Sequence, residues 1–179
     1  MKKILLLISI VLLTACSKNV PQKTPNELLL SIKDYSCDMK ISYFSNKNSN
    51  TYLATQNYST LGEYSMEFLD DKNLKISYKN STLNISSNDP ILEITNTNYA
   101  ELNENPLFLT YFISTYFNIE ESKNIKTDEN SVYLELPNHN EYLFSAKLVF
   151  KNNLPYSLTY FDKNGNAKVN IIYNKFTFI

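Results

Sequence analysis

Apolar side chains recurring at every second position, in runs separated by polar turns too short to carry a crossover, constrain this chain more than any other feature. Tyr35, Cys37, Met39, Ile41 and Tyr43 alternate with Ser36, Asp38, Lys40 and Ser42, so the strand they form has one buried face and one wet face. The same signal predicts strands over 51–58, 63–69, 74–78 and 82–86, with a polar loop at 45–50 and turns at 70–73 and at Asn80-Ser81. Parallel neighbours need a connection of a dozen residues or more, so this is a meander of antiparallel hairpins. Short apolar pieces at 91–94 and 99–102 suit edge strands.

The C-terminal third repeats the pattern. A charged surface loop over 120–130 leads into a strand at 131–136 and a turn at 137–140. Tyr142, Phe144, Ala146, Leu148 and Phe150 then alternate with polar residues. Asn152-Asn153 turns the chain into 154–161, where Tyr156, Leu158 and Tyr160 share a face, and Asn164-Gly165 turns it into Ala167, Val169, Ile171 and Tyr173. Beyond Tyr173 the apolar positions jump to Phe176 and Phe178, a change of phase that predicts a bulge and a curved sheet.

Two stretches break the period of two. Thr24-Pro25-Asn26-Glu27 has the form of a capping box with proline at the first helical position, opening a short helix that runs to about Lys33. Leu28, Leu29, Leu30 and Ile32 give it an apolar side to dock, and it is too short to stand alone. Asn105-Pro106 reads as the cap and first residue of a second helix over 107–117. Thr110, Ser114 and Asn118 form a narrow polar stripe on it, so the spacing predicts a helix enclosed on most sides. The class is α+β, mainly β.

At 179 residues, with 43% hydrophobic and 13% aromatic side chains, the chain is long and apolar enough for one domain with a real core. Chemistry is sparse. Gly62 and Gly165 are the only glycines, too few for a phosphate loop, a dinucleotide fingerprint or a glycine-flanked nucleophilic serine. His139, the only histidine, lies in a polar turn without a ligand set around it, so no metal and no cofactor is expected. The acid pairs Asp70-Asp71, Glu120-Glu121 and Asp128-Glu129 fall in turns and loops, where charge is normally solvated. Cys37 sits on an apolar strand face as a small hydrophobe. We therefore expect no catalytic residues, and the chain reads as a non-enzyme. All basic residues are lysine, and without arginine, nucleic acid is not an expected partner.

The N-terminus carries an address. Lys2 and Lys3 precede an apolar run from Ile4 to Leu13, shorter than the roughly 20 residues of a membrane span. The run ends in Leu13-Thr14-Ala15-Cys16, which resembles the bacterial lipobox. That resemblance implies cleavage between Ala15 and Cys16 and transfer of a diacylglyceryl group to the Cys16 thiol. The expected organisation is a lipoprotein signal peptide over 1–15, a lipidated tether over 16–23 and a domain over 24–179, held by its lipid anchor on the extracytoplasmic face of the membrane. Loss of 1–15 leaves 15 lysines against 18 acids, a net charge near −3.

Gln56-Asn57-Tyr58, then Gly62 followed by Tyr64 and Glu67, the aromatic helix opening at Pro106, and Val169-Asn170-Ile171-Ile172-Tyr173 with Phe176 together resemble the LolA/LolB superfamily. Within it the similarity is greatest to the clostridial spore-germination lipoproteins of the GerS type. The resemblance spans about residues 25–178. It implies a curved antiparallel half-barrel of about nine to eleven strands with helices on or beside the concave face. It also implies a non-catalytic partner or activator of a cortex peptidoglycan amidase of the CwlD type, in muramic-lactam formation during spore development. The alternative within the superfamily is a carrier or sensor of lipid or lipoprotein acyl chains. Relatives often have an arginine on the strand carrying Glu67, where this chain has Ser65 and Met66, and no partner-binding residue transfers by position.

Overall fold

The computed structural model describes residues 23–69, 73–88, 91–97, 105–119, 124–137 and 141–179. Among these residues two helices, α1 (Pro25–Ser31) and α2 (Leu109–Asn118), accompany eleven strands. The first six are β1 (Tyr35–Phe44), β2 (Ser49–Ser59), β3 (Glu63–Phe68), β4 (Lys75–Lys79), β5 (Thr82–Asn88) and β6 (Ile91–Thr97). The others are β7 (Ile125–Thr127), β8 (Ser131–Glu135), β9 (Ser145–Lys151), β10 (Leu154–Phe161) and β11 (Ala167–Phe178). They form one open antiparallel sheet in the order β6-β5-β4-β3-β2-β1-β11-β10-β9-β8-β7. Two meanders are thus joined where β1 pairs with β11, Met39 opposite Tyr173 and Ile41 opposite Ile171.

The alternation predicted from sequence sets the inner face. Tyr35, Cys37, Met39 and Ile41 of β1 are buried with Ala54, Met66, Leu134, Ala146, Leu148, Leu158, Tyr160 and Ile171 from neighbouring strands. Both helices lie on this concave side and share its core, through Leu28 and Leu29 of α1 and Phe108, Leu109 and Phe112 at α2. Curvature comes from bulges. The β1–β11 register slips opposite Asn174 to Thr177, and Lys175 there has φ +47°. This is the phase change read between Tyr173 and Phe176, and it turns Phe176 inward against Tyr35, ring centroids 5.0 Å apart.

The capping box is present as read. Glu27 N–H donates to Thr24 Oγ1 at 3.3 Å, and Thr24 N–H to Glu27 Oε2 at 2.8 Å. Asn80-Ser81 and Asn152-Asn153 are two-residue turns with positive φ at both positions, the backbone that matches strand twist. Gly62 takes φ +80° in the β2–β3 turn.

Other expectations are corrected. The second helix starts at Leu109, not Leu107. The Leu107 C=O accepts from the Gln56 side chain at 3.3 Å and its N–H donates to Asn105 Oδ1 at 3.0 Å, so Asn105-Pro106 forms a separate turn ahead of the helix. The expected enclosure of α2 on most sides is seen up to its last turn: Leu109, Phe112 and Thr115 are buried and Tyr111, Ile113 and Tyr116 pack against the core, whereas Phe117 is 46% exposed. Thr115 enters the buried face because its hydroxyl donates to the Tyr111 carbonyl at 2.7 Å. The charged loop over 120–130 contains β7, paired with β8 from Ile125–Leu134 to Thr127–Val132. Tyr142 precedes β9 and is 71% exposed. Tyr156 points outward because a bulge between Pro155 and Ser157 buries Pro155 in its place. The piece at 99–102 lies outside the described residues.

Candidate interaction surfaces

Ala15, Cys16, His139, Asp70-Asp71 and Glu120-Glu121 lie outside the described residues. Of the other singled-out groups, Cys37 is buried on β1, where desolvation, with the Asp38 charge adding, pushes its thiol up to about 12. It carries no thiolate at neutral pH. Asp128-Glu129 is in the β7–β8 connection, and Asp128 accepts from the Ser131 hydroxyl at 3.0 Å. Among the described residues no three His, Cys, Asp or Glu side chains group as a metal site, and no helix is long and apolar enough to cross a membrane.

The residues that carried the resemblance converge on how α2 is seated. Gln56, fully buried, accepts from the Tyr35 hydroxyl at 2.6 Å and donates to the Leu107 carbonyl at 3.3 Å, bridging the sheet to the turn before α2. Tyr64 stacks on Tyr78 at 4.9 Å and meets Phe108 edge-on at 4.9 Å. Tyr58 stacks on Tyr35 at 5.6 Å. Burial holds the Tyr35, Tyr160 and Tyr173 phenols well above the ordinary phenol range, so all stay protonated. The sequence signal for this seat was a polar Gln56 at an inward position of a strand. Its partner ahead of α2 was not legible, because a backbone carbonyl leaves no mark in sequence.

Beneath the helices the concavity is occupied by the protein's own side chains. Tyr35, Met39, Phe108, Phe112, Leu148 and Tyr160 are each under 2% exposed. Towards the β6 edge the same face is covered less. Register carries it from Met66 to Ile76, Ile85 and Ile94. Ile76 and Ile85 are half-buried and Ile94 is 46% exposed. The result is an apolar shelf beside an edge strand, a surface of the kind that receives another protein. The convex face is instead a carpet of small polar groups linked across strands, with Ser42 to Thr51 at 3.1 Å, Thr95 to Asn84 at 2.9 Å and Thr159 to Asn170 at 2.9 Å.

Residues 1–178 match the family model described as sporulation protein YdcC-like. The chain belongs to the YdcC-like family of sporulation proteins. No curated protein sequence matches it. Among solved structures it is similar to one chain in the structure of the CwlD amidase from Clostridioides difficile in complex with the GerS lipoprotein. The identity is 20% and the TM-score 0.53, over 88% of this chain and 98% of that one. An uncharacterised conserved protein from Thermus thermophilus matches at 8% identity and TM-score 0.54, over 86% of each chain. A LolA-superfamily protein from Nitrosomonas europaea matches at 8% identity and TM-score 0.42, over 88% and 94%. The single open antiparallel sheet of the YdcC-like chain, with helices on its concave side, is the half-barrel architecture expected from its sequence.

Proposed function

We propose that this YdcC-like protein is a non-catalytic, lipid-anchored protein of the spore envelope that binds a cortex peptidoglycan amidase of the CwlD type and enables muramic-lactam formation. The observation that carries this reading is the likeness of its half-barrel, across 98% of the matched chain, to a chain of an amidase–lipoprotein complex, in a protein whose own family is a sporulation family. Cys37, the free thiol of the described residues, is buried and protonated at neutral pH and is a core side chain in this reading. Beneath α2 the concavity is filled, and the cavity of about 500 Å³ beside α1 is lined by Leu28 and Phe150 but otherwise by Lys23, Glu129, Asn130, Lys151, Asn152 and Asn153, a polar lining that favours a binding partner over an acyl-chain carrier, whose pocket is mostly apolar. Residues 1–15 serve as the signal peptide, Cys16 carries the diacylglyceryl group, and residues 24–179 act on the extracytoplasmic side.

Muropeptide analysis of spores lacking the protein tests the role. Cortex without muramic lactam, with normal vegetative growth and failed germination, is the expected result. Normal muramic-lactam content in those spores refutes it. Separately, Cys16→Ser is expected to release the protein from membranes or leave it unprocessed, and unchanged processing and retention would refute the anchor.

A further inference from the structure

The geometry points to a membrane-contacting end of the half-barrel, with a phospholipid bilayer as its occupant. The strand registers define the two ends. Tyr35 at the start of β1 lies opposite Tyr58 and Phe178, so the turn over 59–62, the tip of β11 and the Asn152-Asn153 turn between β9 and β10 share one end. The loop over 45–48 and the Asp162–Asn166 turn mark the other.

At the first end apolar side chains stand in solvent. Leu61 is 88% exposed at the apex of the β2–β3 turn, Leu30 is 57% exposed on α1, and Phe178 is 47% exposed. They are held as a unit. Asp34, between α1 and β1, accepts from the Thr60 N–H and hydroxyl, and its carbonyl accepts from Ile179 N–H at 3.1 Å. The other end of α1 is tied to the same end of the barrel, since Lys23 N–H donates to Asn153 Oδ1 at 3.3 Å. Exposed lysines, Lys23 and Lys33, flank α1, with stems that lie along apolar surface while their ammonium groups reach lipid phosphate.

Chain length identifies the occupant. This step rests on the proposed acylation of Cys16. Six residues lie between Cys16 and Lys23, and the seven residue-to-residue steps of a fully extended chain reach about 25 Å at most. β1 has ten residues, so the opposite end lies roughly 33 Å further along the strands. A bilayer holding the acylated Cys16 is therefore within reach of Leu61, Leu30 and Phe178, and the tether is too short for the opposite end to face it. Insertion of these side chains orients the domain, leaving the open edge and its apolar shelf upright beside the membrane.

The test uses the full-length lipidated protein in phosphatidylcholine–phosphatidylglycerol vesicles. Leu61→Cys, and Asn164→Cys as the far-end control, are labelled with a polarity-sensitive fluorophore; Cys37 is too buried and too fully protonated to react. The label at position 61 is expected to shift to the blue and to lose most of its emission when brominated phospholipid is included, while the label at 164 does neither. Equal quenching at both positions, or none at 61, overturns the orientation. A blue shift at 61 without lipid quenching overturns it too, in favour of a second copy or another protein as occupant. Failure of the protein to float with vesicles overturns the acylation of Cys16 and this inference with it, whereas flotation without quenching at 61 overturns only the latter.

Discussion

Phe112 has no exposed surface and lies at the centre of the contact between α2 and the sheet, so Phe112→Ala removes its transfer free energy and leaves a cavity, at a cost of about 3–5 kcal/mol. Chemical denaturation of the soluble domain measures it. The buried tyrosines separate by whether their hydroxyls are used. Tyr35→Phe strips Gln56 Oε1 of its 2.6 Å donor and costs about 1–3 kcal/mol, the penalty of an unpaired buried acceptor. Tyr160 and Tyr173 hydroxyls have no hydrogen-bond partner among the described residues, so Tyr160→Phe is expected to be neutral or stabilising in the same assay. Asp162 adds a pH dependence. Burial raises its pKa, but donors from Asn166, Lys168 and Asn164 outweigh that and hold it at about 2. A depressed folded-state pKa stabilises the fold above the ordinary carboxylate value near 4 and loses that contribution as pH falls through about 2. Asp162→Ala is therefore expected to lower Tm at neutral pH and to narrow its gap to wild type between pH 4 and pH 2.

At the scale of elements, the period of two carried most of the information because each strand of the meander buries one face. The Asn80-Ser81 turn shows local chemistry at work. Both residues take positive φ, at a cost of about 1–2 kcal/mol in the left-handed region for an ordinary residue, against about 0.5–1 kcal/mol of extra chain entropy for glycine. Ser81→Gly is thus expected to stabilise the hairpin by about 0.5 kcal/mol, read as a shift in denaturation midpoint. Sequence misled where tertiary contacts outbid local pattern. Asn105-Pro106 resembled a helix start, but Gln56 and the Asn105 side chain engage the two backbone groups of Leu107. Tyr156 was placed inside by alternation and turned out by the bulge at Pro155. β7 was missed because three residues, two of them Lys126 and Thr127, carry no period; pairing with β8 makes them a strand. The half-exposed shelf of Ile76, Ile85 and Ile94 was not legible at all, since it depends on how far the helices extend across the sheet.

At the scale of the whole molecule, two meanders fused through β1 and β11 give a sheet whose middle is covered by helices and whose β6 side, among the described residues, carries less cover. A carrier would need an apolar space beneath the helices; this protein packs its own side chains beneath α2 and leaves a largely polar cavity beside α1, with an apolar shelf towards β6. That division suits the proposed role, in which one end would face the bilayer and the apolar side would meet a partner. The proposed complex can be sought by mixing the purified mature protein with the cortex amidase of its own organism and measuring mass by size-exclusion chromatography with light scattering. A co-eluting complex is expected, lost when Ile94 and Ile85 are both replaced by aspartate in a variant whose circular dichroism is unchanged. Separate elution of the two wild-type proteins at concentrations well above those of the spore envelope would contradict it.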